Sequence, residues 1–352
     1  MIRWAKPTDA VVAVTYRCNA RCAMCGIWNS PPREELPPSA YLRLPETLRD
    51  INLTGGEPFL RDDLPEIHAA VRRACPRAQT IVSTNGILTD KIVLQVREMA
   101  RRERNIGIAI SLDGPAEVHD KMRGVPGTYD RAMATLKALQ TEGFCNLRLA
   151  FTITQMSIQH VRTVHDLSHQ LGVEFTCAVQ HASEHYFQSS VNRKDFATPA
   201  LREQLESVIR SELSGLSPKR WARAWFTRGL WEFVSRRARP LACRAGADFF
   251  FLDPSGAIFT CNAMPFKMGE LNEGSPAGGG AEGLPAGRVE GDQGFWGTWE
   301  SNEAEHARAK ADGCEAGCWM VCTVRTVMRR NWPKVLAWAL RRKFLQGEIL
   351  RP

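Results

Sequence analysis

Residues 11–25 read VVAVTYRCNARCAMC, and this stretch decides the fold. Its first five residues, Val11–Thr15, are apolar and largely β-branched, which predicts a short strand. The chain then enters a loop that carries Cys18, Cys22 and Cys25 in the spacing Cys-x3-Cys-x2-Cys. Three thiolates this close together can hold three irons of a cubane cluster and leave the fourth iron without a protein ligand. A structural zinc site would want a fourth Cys or His, and none lies near this loop, so zinc would need a distant partner.

Outward from this strand the pattern repeats. Ile51–Thr54, Thr80–Ser83, Ile106–Ser111, Leu147–Thr154 and Glu174–Val179 read as further strands. Between them, Leu64–Cys75, Asp90–Arg101, Tyr129–Glu142 and Val161–Leu171 have helical amphipathic spacing. Strands alternating with helices predict an α/β fold with a parallel sheet. Six repeats fall short of eight, so the expected architecture is a partial (β/α)6 TIM-type barrel. A C-terminal β-hairpin plus helix follows it as an extension. In such folds the chemistry gathers where strands end and loops begin.

Composition narrows the class. The chain has 352 residues, about two domains' worth, and its 44% hydrophobic and 24% charged content is that of a soluble globular protein. A net charge of +8 is too mild for a dedicated nucleic-acid binder. No run of about 18 uncharged apolar residues predicts a membrane span. The N-terminal stretch does not read as a secretory signal, so a reducing cytoplasmic setting is expected. There, 11 cysteines point to metal or catalysis rather than disulfides. Cys75, Cys145 and Cys177 stand alone and read as small buried hydrophobes.

The cysteine loop resembles the signature of the radical S-adenosylmethionine (AdoMet) superfamily, with Met24 where an aromatic residue is usual. Further matches follow in that family's order. TGGEP (Thr54–Pro58) ends the second strand, STNG (Ser83–Gly86) the third and SLDG (Ser111–Gly114) the fourth, followed by HDKMRG with Arg123. The resemblance implies that Cys18, Cys22 and Cys25 bind a [4Fe-4S] cluster. It also implies that Gly55, Gly56, Glu57, Asn85, Ser111, Asp113 and Arg123 contact AdoMet. Glycines would let backbone approach the ligand, Glu57 would accept from its ammonium, and Arg123 would meet its carboxylate. The implied activity is reductive cleavage of AdoMet to a 5′-deoxyadenosyl radical that abstracts hydrogen from an unidentified substrate. An electron donor such as flavodoxin or ferredoxin would supply the reduction.

A second set, Cys243, Cys261, Cys314, Cys318 and Cys322, is similar to the SPASM/twitch extension of the same superfamily. Five cysteines cannot ligate two cubanes fully, so one auxiliary [4Fe-4S] cluster using four of them is expected. Cys314, Cys318 and Cys322 stand at i, i+4 and i+8, which predicts one helix face, and sequence does not choose among them. Four thiolates also suit a zinc knuckle. The expected organisation is a barrel core over 1–183, a helical segment over 184–240, the cluster extension over 241–330 and a basic helix over 331–352. Within the extension, residues 272–294 read as a Gly/Pro-rich loop.

The substrate is not named by these motifs. Only seventeen residues precede Cys18, which leaves no room for a leader-peptide recognition domain and weighs against a peptide maturase. A small, lipid-linked or glycan-precursor substrate is the leading expectation. A peptide-modifying enzyme and a non-catalytic electron carrier are the alternatives. Asn262 occupies a position where relatives sometimes carry an Asp base, which leaves Glu184, His181 or His185 as substitutes. The Trp/Arg-rich stretch Lys219–Arg237 and the C-terminal helix read either as interfacial segments, seating the protein on the inner membrane face, or as helix packing.

Overall fold

The computed structural model describes residues 5–183, 185–189, 196–236, 241–271, 294–314, 318–344 and 350. Six strands, β1 (Asp9–Thr15), β2 (Asp50–Gly55), β3 (Gln79–Thr84), β4 (Gly107–Ser111), β5 (Leu147–Ile153) and β6 (Glu174–Val179), alternate with helices. The helices are α1 (Leu64–Ala74), α2 (Thr89–Ala100), α3 (Ala116–Arg123), α4 (Thr128–Thr141) and α5 (Val161–Gln170). Each strand pairs in parallel with its predecessor, from Asp9 opposite Asp50 to Ile153 opposite Val179. The sheet does not close, which makes a partial barrel of the expected kind.

Side-chain alternation builds the two faces of this sheet. Ile51, Leu53, Val82, Ile108, Ile110, Leu149, Phe151 and Ile153 are buried in the core beneath the helices. The intervening residues are smaller or polar, among them Asn52, Ser83, Ser111, Ala150, Thr152 and Thr176, and they line an interior cavity. Bulky side chains do not fill that interior, so the barrel keeps a lumen.

The extension joins the same sheet. β7 (Phe249–Leu252) pairs in parallel with β1, placing Phe251 opposite Val11, and β8 (Ala257–Phe259) and β9 (Lys267–Glu270) continue it antiparallel. The β7–β8 turn falls at residues 253–256, as the sequence predicts, and the Asp253 carboxylate accepts from the N–H groups of Ser255 and Ala257. The parallel docking of β7 on β1 has no counterpart in the sequence reading. Because β7 continues the barrel sheet, the auxiliary cysteines come to stand beside the first cysteine loop.

One expectation narrows and another needs correction. After α6 (Pro199–Ser214), the Trp/Arg-rich stretch forms one helix, α7 (Pro218–Arg236), and Trp225 and Trp231 of α7 are buried in the core. Its cations are also engaged: Lys219 with Glu174, Arg220 and Arg223 with Glu212, and Arg228 with Glu232. After α8 (Phe295–Trp299), α9 (Asn302–Asp312) and α10 (Val321–Arg330), helix α11 (Trp332–Phe344) packs on α7. Lys343 near its end donates to the carbonyls of Leu213, Ser214 and Gly215 and so caps α6. The buried tryptophans and paired cations of α7 thus serve helix packing, one of the two readings the sequence left open. Among the described residues no helix is long and apolar enough to cross a membrane.

The correction concerns the last three cysteines. Cys314 follows the end of α9, Cys318 lies outside any helix or strand, and only Cys322 is helical, in α10. Gly313 ends α9 and Met320 precedes α10 in an extended conformation, which breaks the continuous helix that the spacing suggests. Cys145 is exposed rather than buried, whereas Cys75 and Cys177 are buried as expected. Of the 272–294 insert, all but Gly294 lies outside the described residues, as does Glu184.

Candidate active site

The loop after β1 is pinned to the end of α3. The N–H groups of Arg21 and Ala23 donate to the carbonyls of Arg123 and Met122, each over 2.8 Å. Gly124 makes this approach feasible: its φ is +67°, and a Cβ there would collide with the Arg21 carbonyl. Cys18, Cys22 and Cys25 all line one cavity of about 390 Å³ that runs into the lumen. Burial pushes the Cys18 thiol up to about 12 and the Cys25 thiol up to about 11. Such thiols ionise at neutral pH only against a cation, which suits a metal-ligand role rather than that of a free nucleophile.

The TGGEP turn fits tightly against β1. Gly56 N–H donates to Thr15 O and Glu57 N–H to Arg17 O, both over 2.8 Å. A Cβ on Gly55, whose φ is +138°, would collide with Thr15 O, and one on Gly56 with Arg17 O. The glycines are therefore required by the close approach of backbone to backbone. Glu57 differs from expectation. It is fully buried, and its carboxylate accepts from Phe59 N–H, the Thr84 hydroxyl and Asn85 N–H at 3.2, 2.8 and 2.7 Å. Burial, opposed by these three donors, raises its carboxyl to about 7. Glu57 thus binds the ends of β2 and β3 together from behind the cavity wall.

Asn85, Ser111 and Arg123 do line the cavity, as do Gly55 and Gly56. Asn85 Nδ2 donates to Asn19 Oδ1 at 2.7 Å, tying the β3 end to the cysteine loop. Asp113 lies behind the wall and pairs with Arg123 at 2.6 Å, while also accepting from Thr152 N–H at 2.8 Å. Burial pushes the Asp113 carboxyl up, and Arg123 opposes it. Arg123 Nη1 lies 3.8 Å from Cys22 Sγ, and its Nε is buried with no hydrogen-bond partner. An anionic group in the cavity would satisfy that orphaned donor. The sequence reading missed His119, which burial holds down near 3 and whose Nδ1 accepts from Asp113 N–H. It braces the pair as a neutral ring.

The auxiliary set gathers beside the first cysteine loop. Cys261 and Cys318 belong to one apolar cluster with Tyr186, Phe251 and Phe259, and Cys243, Cys322 and Cys25 pack against it. Burial, then the neighbouring Cys318, pushes the Cys261 and Cys322 thiols up to about 12. Cys314 is not in this cluster; its N–H donates to Ala311 O at the end of α9. Among the described residues no three of these sulfurs, in either set, lie within 4.8 Å of one another.

Of the candidate bases, His181 lines the cavity, and its Nε2 accepts from Trp319 N–H at 3.3 Å. His185 packs on Phe259 with ring centroids 4.1 Å apart, and burial lowers its basicity. Asn262 is buried. Tyr186, unread in the sequence, lines the cavity between the two cysteine sets, and so does Arg148 deeper in the lumen.

Cysteines, a glycine-lined wall and a buried arginine on one cavity at the strand ends define the class, and comparison agrees. Residues 12–168, somewhat under half of the chain, match the model of the radical SAM superfamily. The chain thus carries a match to a domain that implies a [4Fe-4S] cluster and AdoMet. It is 32% identical over 189 residues to the Fe-coproporphyrin III synthase of Methanosarcina barkeri, covering 50% of this chain and 45% of that one. It is 24% identical over 292 residues to an AdoMet-dependent heme synthase of the same organism, covering 74% and 78%. Among solved structures, anSMEcpe with bound AdoMet shares the fold at a TM-score of 0.62 and 13% identity, over 95% of this chain and 100% of that one.

Proposed function

We propose that Cys18, Cys22 and Cys25 hold the AdoMet-cleaving cluster, and that Gly55, Gly56, Asn85, Ser111 and Arg123 form the wall that seats AdoMet. The observation that supports this is that all eight residues open on one cavity. Bound there, the cluster and AdoMet supply one-electron cleavage of a sulfonium. The chain's part is to hold and orient. The free Nε of Arg123 offers a donor for a carboxylate, and Asp113 fixes the guanidinium from behind. Glu57 acts through the backbone, keeping the Gly55–Gly56 turn and the Asn85 loop in register. Cys243, Cys261, Cys318 and Cys322 hold one auxiliary [4Fe-4S] cluster.

The substrate lies in the lumen beyond this wall. Arg148 and Arg325 line its deep end. Arg148 Nε is buried without a partner, a donor left for an acidic group. We therefore favour a small substrate that carries a carboxylate or phosphate. The enzyme works in the cytoplasm, reduced by a flavodoxin- or ferredoxin-type donor, with residues 1–183 as core and 241–330 as cluster extension. Anaerobically reconstituted protein, given dithionite and AdoMet, should release 5′-deoxyadenosine. Cys18→Ala, Cys22→Ala and Cys25→Ala should each abolish it, and release that survives all three would refute the assignment.

A further inference from the structure

Outside the barrel, α5 and α6 bring three ligand atoms together, with the buried Cys177 of β6 close to Glu212. His165 and His169 stand at i and i+4 of α5 and so share one face of that helix. Glu212 reaches them from the end of α6. His165 Nε2 lies 3.1 Å from Glu212 Oε1, His169 Nε2 lies 3.2 Å from His165 Nε2, and His169 Nε2 lies 3.6 Å from Glu212 Oε1. We propose that His165, His169 and Glu212 form a zinc-class divalent-metal site that ties the barrel to its connecting helices.

Hydrogen bonding alone accounts poorly for the trio. The three atoms converge on one point. A proton on His165 Nε2 can serve Glu212 or His169, but not both. Ligands on a tetrahedral ion with bonds of 2.0–2.1 Å stand about 3.3 Å apart, which matches all three separations without rearrangement.

The surroundings also orient the ligands. Arg220 and Arg223 hold the other carboxylate oxygen, Glu212 Oε2, at 3.3 and 3.2 Å, which leaves Oε1 for the trio. His165 Nδ1 lies 3.4 Å from Asp166 Oδ1, the outer carboxylate that metal-bound imidazoles commonly engage. His165 and Glu212 are buried, whereas the His169 side chain is 40% exposed, so a fourth position opens to water. Two imidazoles favour zinc over magnesium or calcium, and the nearby arginines count further against hard, weakly held cations.

The test uses the full-length protein with its iron centres in place, loaded with one equivalent of zinc and freed of excess by gel filtration. Zinc K-edge absorption should show a nitrogen and oxygen shell near ~2.0 Å and no sulfur near ~2.3 Å. His169→Ala, at a half-exposed position the fold tolerates, should lose the retained zinc and leave the iron content unchanged. Asp166→Asn should weaken zinc binding about tenfold. No zinc retained by the unmodified protein would overturn the site. So would a sulfur shell, or retained zinc that His169→Ala leaves in place.

Discussion

The Tyr186 hydroxyl donates to the Gly55 carbonyl over 3.0 Å, joining residues 131 apart in sequence. Its ring packs 5.0 Å from Phe251 and 4.7 Å from Phe187, within the apolar cluster against which Cys322 and Cys25 pack. One side chain thus fixes the AdoMet-side turn and fills the space between two sets of sulfurs. Tyr186→Phe should keep the full iron content and lower stability by about 1 kcal/mol, one net hydrogen bond. Tyr186→Ala should cost about 3–5 kcal/mol and admit water between the centres. Iron retention in air, followed by visible absorption, should fall much faster for the alanine variant than for phenylalanine. Equal rates would show that the ring does not shield the clusters.

The auxiliary site makes a sharper distinction among cysteines. Cys314 sits at the end of α9, away from the apolar cluster that contains Cys261 and Cys318 and against which Cys243 and Cys322 pack. Cys314→Ala should therefore leave iron and sulfide at about eight of each per chain, two cubanes' worth. Cys261→Ala or Cys318→Ala should reduce both to about four. The AdoMet-cleaving activity of the barrel cysteines should survive in all three. If Cys314→Ala alone halves the iron, the ligand set is wrong.

Much of this architecture is legible in the sequence, and the exceptions have physical reasons. β-branched runs and 3.6-residue periodicity mark the six strands and their helices because each element buries one face against the next. Cys18, Cys22 and Cys25 are legible because their ligation is local. The Asp113–Arg123 pair is not, since a ten-residue separation matches neither helical nor strand spacing. Nor does the sequence reveal that Glu57 turns inward, because its three donors come from Phe59, Thr84 and Asn85, the last two at and just past the end of β3. Tryptophan with arginine has the same composition in an interfacial helix and in a buried one; only the packing of α6 and α11 on α7 distinguishes them. The cysteine spacing 314, 318, 322 mimics a helix face, but Gly313 ends α9 ahead of it.

Glu57 should leave a pH signature in the neutral range. Its carboxyl is raised from 4.5 to about 7, chiefly by burial. Between those values the folded state binds more protons than the unfolded state, so stability falls as pH rises through that window. The total loss should be about 3 kcal/mol, complete above pH ~8. Thermal unfolding of cluster-free protein between pH 5 and 8 should show this slope, and Glu57→Gln should flatten it. A wild-type profile already flat in this range would mean that the carboxylate is ionised in the folded protein.

Substrate choice turns on Arg148. It projects from β5 into the lumen, where Nη2 donates to Asn146 and stands 3.8 Å from Glu174, while Nε has no partner. Burial lowers its basicity, and Glu174 opposes that. A carboxylate or phosphate in the lumen would complete its donor set, and removing the guanidinium should therefore affect substrate but not AdoMet. Arg148→Gln should release 5′-deoxyadenosine at the wild-type basal rate without substrate, because the cysteine loop and Arg123 are untouched. Wild-type protein should respond to an acidic small molecule with faster or coupled release, and Arg148→Gln should need at least tenfold more of it. Mass spectrometry of the small-molecule fraction from wild type but not the variant, after turnover with cell extract, should enrich acidic products. Enrichment of neutral products, or of the same products in both proteins, would remove Arg148 from substrate recognition.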